Sequence, residues 1–504
     1  MRTLLPVVDT DLLALLRADL TAARFTVPGM REVLGPMAGA ALAREQPLAA
    51  ERVTAASSDP CAALIRLFAL GVPVDVRDVQ AALPTAGIDG ALALALVRRE
   101  GDGLVATCHL RPYAVGAETW WVASDRAEFA TGEPLTPDHV LGVGGASATL
   151  ASWTPRGPVV RALDVGTGSG VQALHLSRDA EEVVVTDLSE RALAFASFNA
   201  ALNAVTWDIR HGSMLEPVEG ERFDLVVSNP PFVITPRDGS VPLFEYRDAG
   251  ASGDAVVADL VRALGVHLVP GGVAQLLGNW EIRAGEDWRE RVGAWVAQSG
   301  LDAWVVQREV QDPAQYAETW ARDGGHHPGT AEFQTMYAAW LEDFASRDVE
   351  AVGFGVVTLH RPATERPPFV ELMDVRGPVA DPMGPTIAAG LRARELLAGL
   401  TDEGLLDVLW RAAEDVTIEQ TLRPGSSEPR HVTAVQGGGL RLRTPLDTYA
   451  AAYLGVADGS MTPRQALVAI ASLLEEDVAD VVRAVVPPLR FLVANGFLVR
   501  AETG

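Results

Sequence analysis

The middle of the chain alternates short apolar runs with segments of helical spacing. The apolar runs are rich in valine and leucine throughout, which is typical of strands buried on both faces of a sheet. We predict seven strands, at residues 159–163, 183–186, 207–210, 223–227, 273–277, 303–307 and 352–359. Helices are predicted between them, at residues 171–177, 190–202, 254–268 and 288–298. This alternation indicates an α/β fold with a doubly wound, mostly parallel sheet.

Two flanking regions follow a different pattern, and they set the predicted domain boundaries. Residues 1–134 are alanine-rich and helical, and they end in a hairpin signal at residues 101–108. Residues 370–504 predict helices at 391–413, 446–454, 462–474 and 478–495, and then a short strand. The stiff polar linker Arg361-Pro-Ala-Thr-Glu-Arg-Pro-Pro368 separates this C-terminal region from the central domain, residues 135–361. We interpret both flanks as mainly helical, winged-helix-like modules that either dock a substrate or only cap the fold.

Composition places the chain among globular proteins of more than one domain. It has 504 residues, of which 48% are hydrophobic and 21% charged, so a core of normal size is available. No apolar run reaches the length of a membrane span, and the N-terminus meets Asp9 and Asp11 too early for a secretory signal. We therefore expect a cytoplasmic protein with no membrane partner. Cys61 and Cys108 are then expected to be reduced core residues.

The net charge of −25 bears on the partner. All 41 basic side chains are arginine, and they form no dense patch along the sequence. Because nucleic-acid binding draws most of its affinity from neutralised phosphates, an acidic chain favours a protein substrate over ribosomal RNA or a ribosome-associated substrate. The nine histidines are scattered, so no metal site is predicted.

The most informative motif closes the fourth predicted strand. Asn229-Pro230-Pro231-Phe232 must end that strand, because proline has a fixed φ and cannot donate to a sheet ladder. In an open α/β sheet, ligands bind at that edge. The stiff turn offers a planar amine or amide two acceptors, the Asn229 side-chain oxygen and the Pro230 carbonyl, and Phe232 can lie against the flat group. The motif therefore predicts a site that methylates nitrogen.

A glycine-rich turn follows the first predicted strand. In Asp164-Val-Gly166-Thr167-Gly168-Ser-Gly170 the glycines let backbone approach a ligand. Valine stands at 171, where a dinucleotide fold would have its third glycine, and this favours S-adenosylmethionine over nicotinamide cofactors. Asp187 ends the second strand, where a carboxylate can accept both ribose hydroxyls or can cap the following helix.

With these two motifs at this spacing, the chain resembles the class I S-adenosylmethionine-dependent methyltransferases over about residues 135–360. The closest group carries Asn-Pro-Pro followed by an aromatic residue, and includes release-factor glutamine, ribosomal RNA guanine-N2 and adenine-N6 methyltransferases. Release-factor enzymes usually have tyrosine where this chain has Phe232, and guanine enzymes often have histidine where it has Val233. The resemblance implies a Rossmann-like methyltransferase sheet.

The resemblance also implies roles for individual residues. Asp164 would support the glycine turn near the amino-acid end of the cofactor, with Thr167 within that turn. Leu188 would flank the adenine, and Ser213 would lie beside its amino group, or else belong to a simple turn. Asn229 would reach both cofactor and substrate. Ser147 and Thr149, in a lead-in segment over the cofactor, are further candidates, although a plain helix start explains them equally.

Two other features carry alternatives. The long segment at residues 233–253 is a candidate lid or substrate-binding segment, because loops of this length are usually functional; the other interpretation is a solvated connector. Asn199 and Asn203 match an Asn-Ala-x-x-Asn feature of the resembled group, for which we favour a structural role over a catalytic one.

We predict an S-adenosylmethionine-dependent N-methyltransferase, with a protein glutamine as the favoured acceptor. The alternative is an exocyclic amine of an RNA base, guanine-N2 or adenine-N6. A non-catalytic scaffold with a methyltransferase fold fits less well, because both motifs and Asp187 are intact.

Overall fold

The computed structural model describes residues 4–132, 135–239, 241–248, 250–425 and 427–501. The predicted boundary at residue 134, and positions 240 and 249 of the 233–253 segment, lie outside these ranges. Within them, no helix is both long enough and apolar enough to cross a membrane. The chain forms two compact units. The large unit comprises Met1–Ala151, Pro158–Arg361 and Pro368–Met373, and the small unit comprises Ser152–Gly157, Pro362–Pro367 and Asp374–Gly504.

The first part of the large unit is helical and then forms short strands. Its helices are α1 (Thr10–Ala22), α2 (Val27–Leu42), α3 (Leu48–Ala55), α4 (Pro60–Leu64), α5 (Val76–Ala82), α6 (Gly87–Ala93) and α7 (Glu128–Thr131). Its strands are β1 (Val74–Asp75), β2 (Val97–Glu100), β3 (Gly103–Ala106), β4 (His109–Val115) and β5 (Glu118–Ser124). The first three strands form a sheet in the order β1-β3-β2, and β4 and β5 form an antiparallel hairpin. The sequence predicted the hairpin of β2 and β3 but not that of β4 and β5.

Helix α6 packs one face against the core of this part of the molecule. The buried Asp19 carboxylate of α1 accepts the backbone N–H groups of Thr85 and Ala86, just before α6, at 2.7–3.1 Å. Ile88 and Ala91 on α6 are buried in the same core. Since Asp19 supplies acceptors for the free donors before the helix, α6 is held by α1 over a long sequence distance.

The rest of the large unit is an open sheet with helices on its faces. Its helices are α8 (Gly145–Trp153), α9 (Val171–Leu176), α10 (Glu190–Leu202), α11 (Ala255–Ala263), α12 (Trp288–Ser299), α13 (Pro313–Asp323) and α14 (Ala331–Ala345). Its strands are β6 (Val159–Val165), β7 (Ala180–Asp187), β8 (Asp208–His211), β9 (Phe223–Ser228), β10 (Leu268–Arg283), β11 (Asp302–Gln311), β12 (Val349–His360) and β13 (Val370–Asp374).

The strand order is β13-β11-β12-β10-β9-β6-β7-β8. Strands β6 to β10 pair in parallel, and β12 runs antiparallel to both β10 and β11. The predicted doubly wound, mostly parallel sheet is confirmed, but the predicted number of seven strands is wrong. The eighth strand, β13, lies beyond the proline-rich linker, and only its pairing beside β11 marks it as part of this sheet.

Helices α13 and α14 were not predicted from the sequence. They lie between β11 and β12, which are antiparallel neighbours. A helical hairpin is not needed to join such strands, because two residues can do so. The pair forms a core of its own with the chain that follows the Asn-Pro-Pro turn, and its largest buried members are Tyr316, Trp340 and Phe344.

The small unit combines helices with antiparallel strands. Its helices are α15 (Gly384–Ala398), α16 (Asp402–Leu406), α17 (Thr448–Val456), α18 (Pro463–Leu474) and α19 (Val478–Ala494). Its strands are β14 (Trp410–Ala412), β15 (Val416–Leu422), β16 (Pro429–Gln436), β17 (Arg443–Leu446) and β18 (Leu498–Arg500). The single helix predicted at 391–413 is wrong: α15 ends before Gly399, and the buried Trp410 belongs to a strand paired with β18. The sheet β15-β16-β17 was also not predicted.

Candidate active site

The glycine turn joins β6 to α9 at the carboxyl edge of the parallel strands. Gly166, Gly168 and Gly170 have φ values of 70°, 56° and 85°, in the left-handed region that favours glycine. A Cβ at 170 would approach the Trp207 ring to 2.6 Å, so glycine is required there for packing. At 166 and 168 a Cβ would meet no atom within 4 Å. The first two glycines therefore border open space, as a backbone cradle for a ligand requires.

Asp164 lies beneath this turn and is almost fully buried. One carboxylate oxygen, Oδ2, accepts the Thr167 hydroxyl at 2.7 Å and the Ala173 N–H at 3.2 Å. The other, Oδ1, is buried and has no hydrogen-bond donor among the described residues. Burial raises the pKa of Asp164 to about 7, against the opposing effect of its two donors. A buried acceptor of this kind suits a ligand that brings its own donor.

Asp187 ends β7 beside the turn. Its Oδ2 accepts the Gly168 N–H at 2.8 Å, and its Oδ1 accepts the Ser189 N–H at 2.9 Å. The carboxylate thus tethers the glycine turn and also binds the backbone of Ser189, the residue just before α10. Burial raises its pKa, and the backbone donors oppose the rise. Each oxygen keeps a lone pair that two ribose hydroxyls could use.

Two further candidate residues lie next to Asp187. Leu188 is 65% exposed, so its side chain is free to lie against a ligand. Its carbonyl is 2.9 Å from the His211 ring nitrogen Nε2, which joins the ends of β7 and β8. Ser213 follows that junction, and its carbonyl accepts the Glu216 N–H at 2.9 Å in a turn. The interpretation of Ser213 as part of a turn and the expectation that it lies by the ligand are therefore compatible.

The Asn-Pro-Pro turn lies beside the glycine turn because of strand register. Ser228, the last residue of β9, pairs with Val165, the last residue of β6, and its hydroxyl donates to the Val165 carbonyl at 2.8 Å. Asn229 and Gly166 therefore leave adjacent strands at the same edge. Side-chain oxygen Oδ1 of Asn229 is buried and accepts no hydrogen bond from any described residue.

Comparison with known proteins identifies the family of the chain. A family described as "Methyltransferase small domain" matches residues 142–241, and "Domain of unknown function (DUF7059)" matches residues 22–107. The tRNA1(Val) (adenine(37)-N6)-methyltransferase of Tolumonas auensis is 37% identical over 177 residues, which cover 34% of this chain and 68% of that protein. The chain belongs to the class I S-adenosylmethionine-dependent methyltransferases.

Other relatives match a smaller share of their own length. The release factor glutamine methyltransferase of Deinococcus radiodurans is 40% identical over 124 residues, or 23% of this chain and 44% of that protein. The chain thus spans less than half of that relative. Among solved structures, the 16S rRNA methyltransferase RsmC of T. thermophilus is 18% identical, with a TM-score of 0.27, covering 57% of this chain and 63% of that one. A score this low supports no conclusion about this chain.

The two prolines and the phenylalanine of the motif are partly built into the core of the large unit. Pro230 is buried, and Pro231 and Phe232 are half-buried. The Phe232 ring packs edge-on to Phe354 with centroids 6.5 Å apart, and its backbone pairs with Asp248. The ring therefore has a fixed position, with only part of its surface left to meet a flat substrate group.

The segment after the motif is tied down at both ends. Its base is closed by the Phe232–Asp248 bridge and by the Val233 N–H, which donates to the Arg247 carbonyl at 2.9 Å. Arg247 is 2% exposed and lies 4.5 Å from the centre of the Phe244 ring. This segment is no simple solvated connector, because a buried arginine and a closed base define it. Its exposed residues, 237–239 among them, form the outer part.

The lead-in segment before β6 crosses the glycine turn. The Ser169 hydroxyl donates to the Leu141 carbonyl at 2.8 Å, and the Gln172 side chain donates to the Ser147 carbonyl at 2.7 Å. Ser147 therefore contributes its backbone to this contact, while Thr149 is exposed on α8. Ser147 and Thr149 thus lie at the start of a helix, and the segment that carries them also lies over the glycine turn.

Asn199 and Asn203 act structurally. Asn199 accepts the Ala123 N–H at 2.7 Å and donates to the carbonyls of Ala123 and Ser169 at 2.9 and 2.8 Å. Asn203 makes the same paired contact with Trp121, at 2.9 and 2.8 Å. These side chains bind α10 to β5, and the first also binds the glycine turn. Their hydrogen-bonding groups are occupied within the fold.

Proposed function

We propose that this chain methylates a planar amide or amino nitrogen with S-adenosylmethionine, and that a protein glutamine is the acceptor. The observation that carries the proposal is the Asn229 side-chain oxygen, buried and without a donor in the described part of the chain, next to the glycine turn. A buried acceptor is costly to leave unpaired, so its retention beside a ligand cradle favours a substrate N–H as its partner.

The residues around the glycine turn fit the cofactor. The open space at Gly166 and Gly168 leaves room for S-adenosylmethionine beside the turn. The unpaired oxygen of Asp164 suits its amino-acid end, and the exposed Leu188 suits its adenine. Bound there, the cofactor supplies a methyl group activated by a sulfonium. Asp187, Thr167 and Ser213 complete the proposed contacts.

The proposed chemistry is alignment rather than acid–base catalysis. An amide or exocyclic amine has a delocalised lone pair and two N–H groups. If these donate to the Asn229 side-chain oxygen and the Pro230 carbonyl, the nitrogen becomes more tetrahedral and its lone pair points along one line. No base is required before methyl transfer, because the proton can leave to water afterwards. The stiff prolines hold both acceptors in place.

A protein acceptor is favoured by the charge of the chain and by α6. In the order α4-β1-α5-α6-β2-β3, with a β1-β3-β2 sheet, we infer a winged-helix module, whose third helix commonly enters a nucleic-acid groove. Here that helix, Gly-Ile-Asp-Gly-Ala-Leu-Ala, has no basic residue, and it is packed against α1. The likeness to an adenine-N6 methyltransferase keeps an RNA base amine as the second candidate.

Methyl transfer to a cell extract tests the proposal. Tritiated S-adenosylmethionine and the full chain are incubated with the extract, and the labelled material is digested with protease or ribonuclease. Release of label by protease alone supports a protein acceptor, whereas release by ribonuclease identifies RNA. A steep loss of labelling between about 50 and 200 mM salt, on the order of 10³-fold, would also indicate RNA, since many phosphate contacts are salt-sensitive.

The variant Asn229→Ala tests the mechanism. We expect labelling to fall at least 100-fold while cofactor affinity, measured by calorimetry, changes less than threefold, because the side chain acts on the substrate nitrogen. Asn203→Ala is the matched control, since that amide binds β5 and faces no acceptor site. Labelling at wild-type rate in Asn229→Ala would rule out the nitrogen-alignment mechanism.

A further inference from the structure

The backbone of Ile234 is held on both sides by buried aromatic side chains. Its N–H donates to the Tyr316 hydroxyl at 2.7 Å, and its carbonyl accepts the Trp340 indole N–H at 2.8 Å. Both aromatic residues have no exposed surface. Hydrogen bonds of this kind, made in a dry interior, fix the position of a peptide unit on two sides.

The two aromatic residues come from an insertion. Tyr316 lies on α13 and Trp340 on α14, the helical pair between the antiparallel neighbours β11 and β12. Their shared core with residues 232–234 contains no residue of the glycine turn. The insertion thus packs against the chain that leaves the Asn-Pro-Pro turn and not against the cofactor cradle.

The Tyr316 ring is itself fixed from several directions. It stacks on Phe354 of β12 with ring centres 5.7 Å apart, and it meets the edge of Phe344 at 5.3 Å. The Asn279 amide of β10 also donates to its hydroxyl, at 3.2 Å. The hydroxyl is therefore an acceptor at a fixed point, referenced to the sheet through β10 and β12.

We call the two hydrogen bonds of Tyr316 and Trp340 to the Ile234 backbone the Ile234 grip. Only a short, stiff span lies between this grip and the sheet. Ser228 is held by the ladder to β6 and β10, and Ile234 by the two aromatic residues. Between them, Pro230 and Pro231 have restricted φ, and Phe232 pairs with Asp248. A displacement of Ile234 is therefore passed to Asn229 rather than absorbed by flexible residues.

The far side of the segment is attached to the same insertion. Arg247 donates to the Trp320 carbonyl and to the Asp323 carboxylate of α13, both at 2.9 Å. The Tyr246 hydroxyl donates to the same carboxylate at 2.7 Å. Both strands of the closed loop thus rest on α13.

We propose that Tyr316 and Trp340 are positioning residues for methyl transfer, which set the Asn229 side-chain oxygen through their grip on Ile234. The inference rests on the proposed function of Asn229. It assigns the α13–α14 insertion the role of a rigid support for the acceptor turn. Both side chains are fully buried and bond to Ile234, so their proposed effect on the reaction is indirect.

Removal of one hydroxyl tests the grip. In Tyr316→Phe the ring packing remains, while the Ile234 N–H and the Asn279 amide lose their acceptor. We expect kcat for label transfer to the protein fraction of the extract to fall about 10-fold at 25 °C. Cofactor affinity by calorimetry should stay within twofold. Amide exchange at residues 232–234, followed by mass spectrometry, should be at least 10-fold faster.

Matched variants separate positioning from general stability. Tyr453→Phe, in the small unit, removes another buried tyrosine hydroxyl and should leave both labelling and exchange at 232–234 unchanged. Trp340→Phe removes the donor on the other side of Ile234 and should lower kcat in the same direction as Tyr316→Phe. A Tyr316→Phe protein with a lower Tm but a kcat within twofold of wild type would reduce the residue to a structural role and overturn the inference.

The proposed function and this inference fail in different ways. If Asn229→Ala labels at the wild-type rate, or the wild type transfers no label, the proposed function fails. In either case, unchanged amide exchange at 232–234 in Tyr316→Phe overturns the grip itself, and faster exchange supports it. If Asn229→Ala is inactive and Tyr316→Phe is fully active, only the inference fails.

Discussion

At the scale of single residues, the candidate site contains buried oxygen atoms that accept no hydrogen bond from the described residues. Asp164 and Asn229 each keep one buried oxygen without a donor among the described residues, at the edge where β6 and β9 end side by side. Asp187 differs, because both its oxygens already hold backbone N–H groups. A loss at Asp187 therefore acts on the cradle as well as on the ligand.

Replacement of Asp187 by alanine should weaken cofactor binding by about 1–3 kcal/mol, or roughly 5- to 150-fold in Kd. The cause is the loss of charged hydrogen bonds to the ribose together with release of the Gly168 N–H. Calorimetry measures the change, and Asp208→Ala on the neighbouring strand β8 is the control. Unchanged affinity in Asp187→Ala would remove the ribose assignment.

Asp164 should make stability depend on pH. Its pKa in the folded protein is raised to about 7 from an ordinary 3.8, so the folded state keeps a proton that the unfolded chain releases. The contribution is therefore fully present below about pH 4 and is lost as the pH rises to about 7, by on the order of 4 kcal/mol at most.

Urea unfolding of wild type and Asp164→Asn across pH 4–8 checks this. The asparagine cannot ionise, so the wild type should lose stability relative to the variant between pH 4 and 7 and run parallel to it above. A difference in unfolding free energy that is constant with pH would show that Asp164 ionises normally in the folded protein.

At the scale of elements, two asparagine side chains of α10 join the open sheet region to the N-terminal part of the large unit. They make the hydrogen bonds that a neighbouring strand would make. Asn199 and Asn203 on α10 each offer one acceptor and one donor to a residue of β5, as a neighbouring strand would. Phe195 and Phe198 of α10 are buried in the same core as the N-terminal helices. The predicted boundary near residue 134 therefore crosses a continuous core within the large unit.

Asn199→Ala should lower the free energy of unfolding by about 2–4 kcal/mol. The variant leaves the buried Ala123 N–H and the Ala123 and Ser169 carbonyls without their partner. Asn203→Ala, at the less buried end of the helix, should cost less than half as much. Urea denaturation of both variants measures the difference. Equal losses of stability would show that the burial of the Asn199 hydrogen bonds does not set the size of the effect.

At the scale of the whole molecule, the last strand of the large unit lies after the proline-rich linker. Phe369 N–H donates to the Asp302 carboxylate at 3.0 Å, and the Trp304 indole lies 3.1 Å from the Met373 sulfur. Residues 152–157 belong by contrast to the small unit, where Ser152 bonds to Asp381. A cut at residue 370 would therefore remove part of the sheet.

Truncation after residue 374 should leave a folded protein that binds the cofactor within about threefold of the full chain. Truncation after residue 369 should be less stable by about 2 kcal/mol or more, since it removes Leu372 from the core and uncovers β11. Urea unfolding followed by Trp fluorescence compares the two. An insoluble 1–374 protein would mean that the small unit is needed to complete the fold.

The sequence by itself determined the parts that depend on local chemistry. Glycines at 166, 168 and 170 allow the left-handed backbone of the turn, consecutive prolines end β9, and valine-rich runs predict the parallel strands. The candidate chemistry and its edge of the sheet were therefore predictable. Cys61 and Cys108, predicted to be unpaired core residues, are buried and free.

Only the tertiary structure decided which distant segments support that chemistry. The Ile234 grip joins residues 82 and 106 positions apart, and the Asn199 contact joins positions 76 apart. Strand β13 is defined by pairing, and the unpaired oxygens of Asp164 and Asn229 are defined by burial. Burial and hydrogen bonding over such separations depend on how the whole chain packs, and no local pattern of residues encodes them.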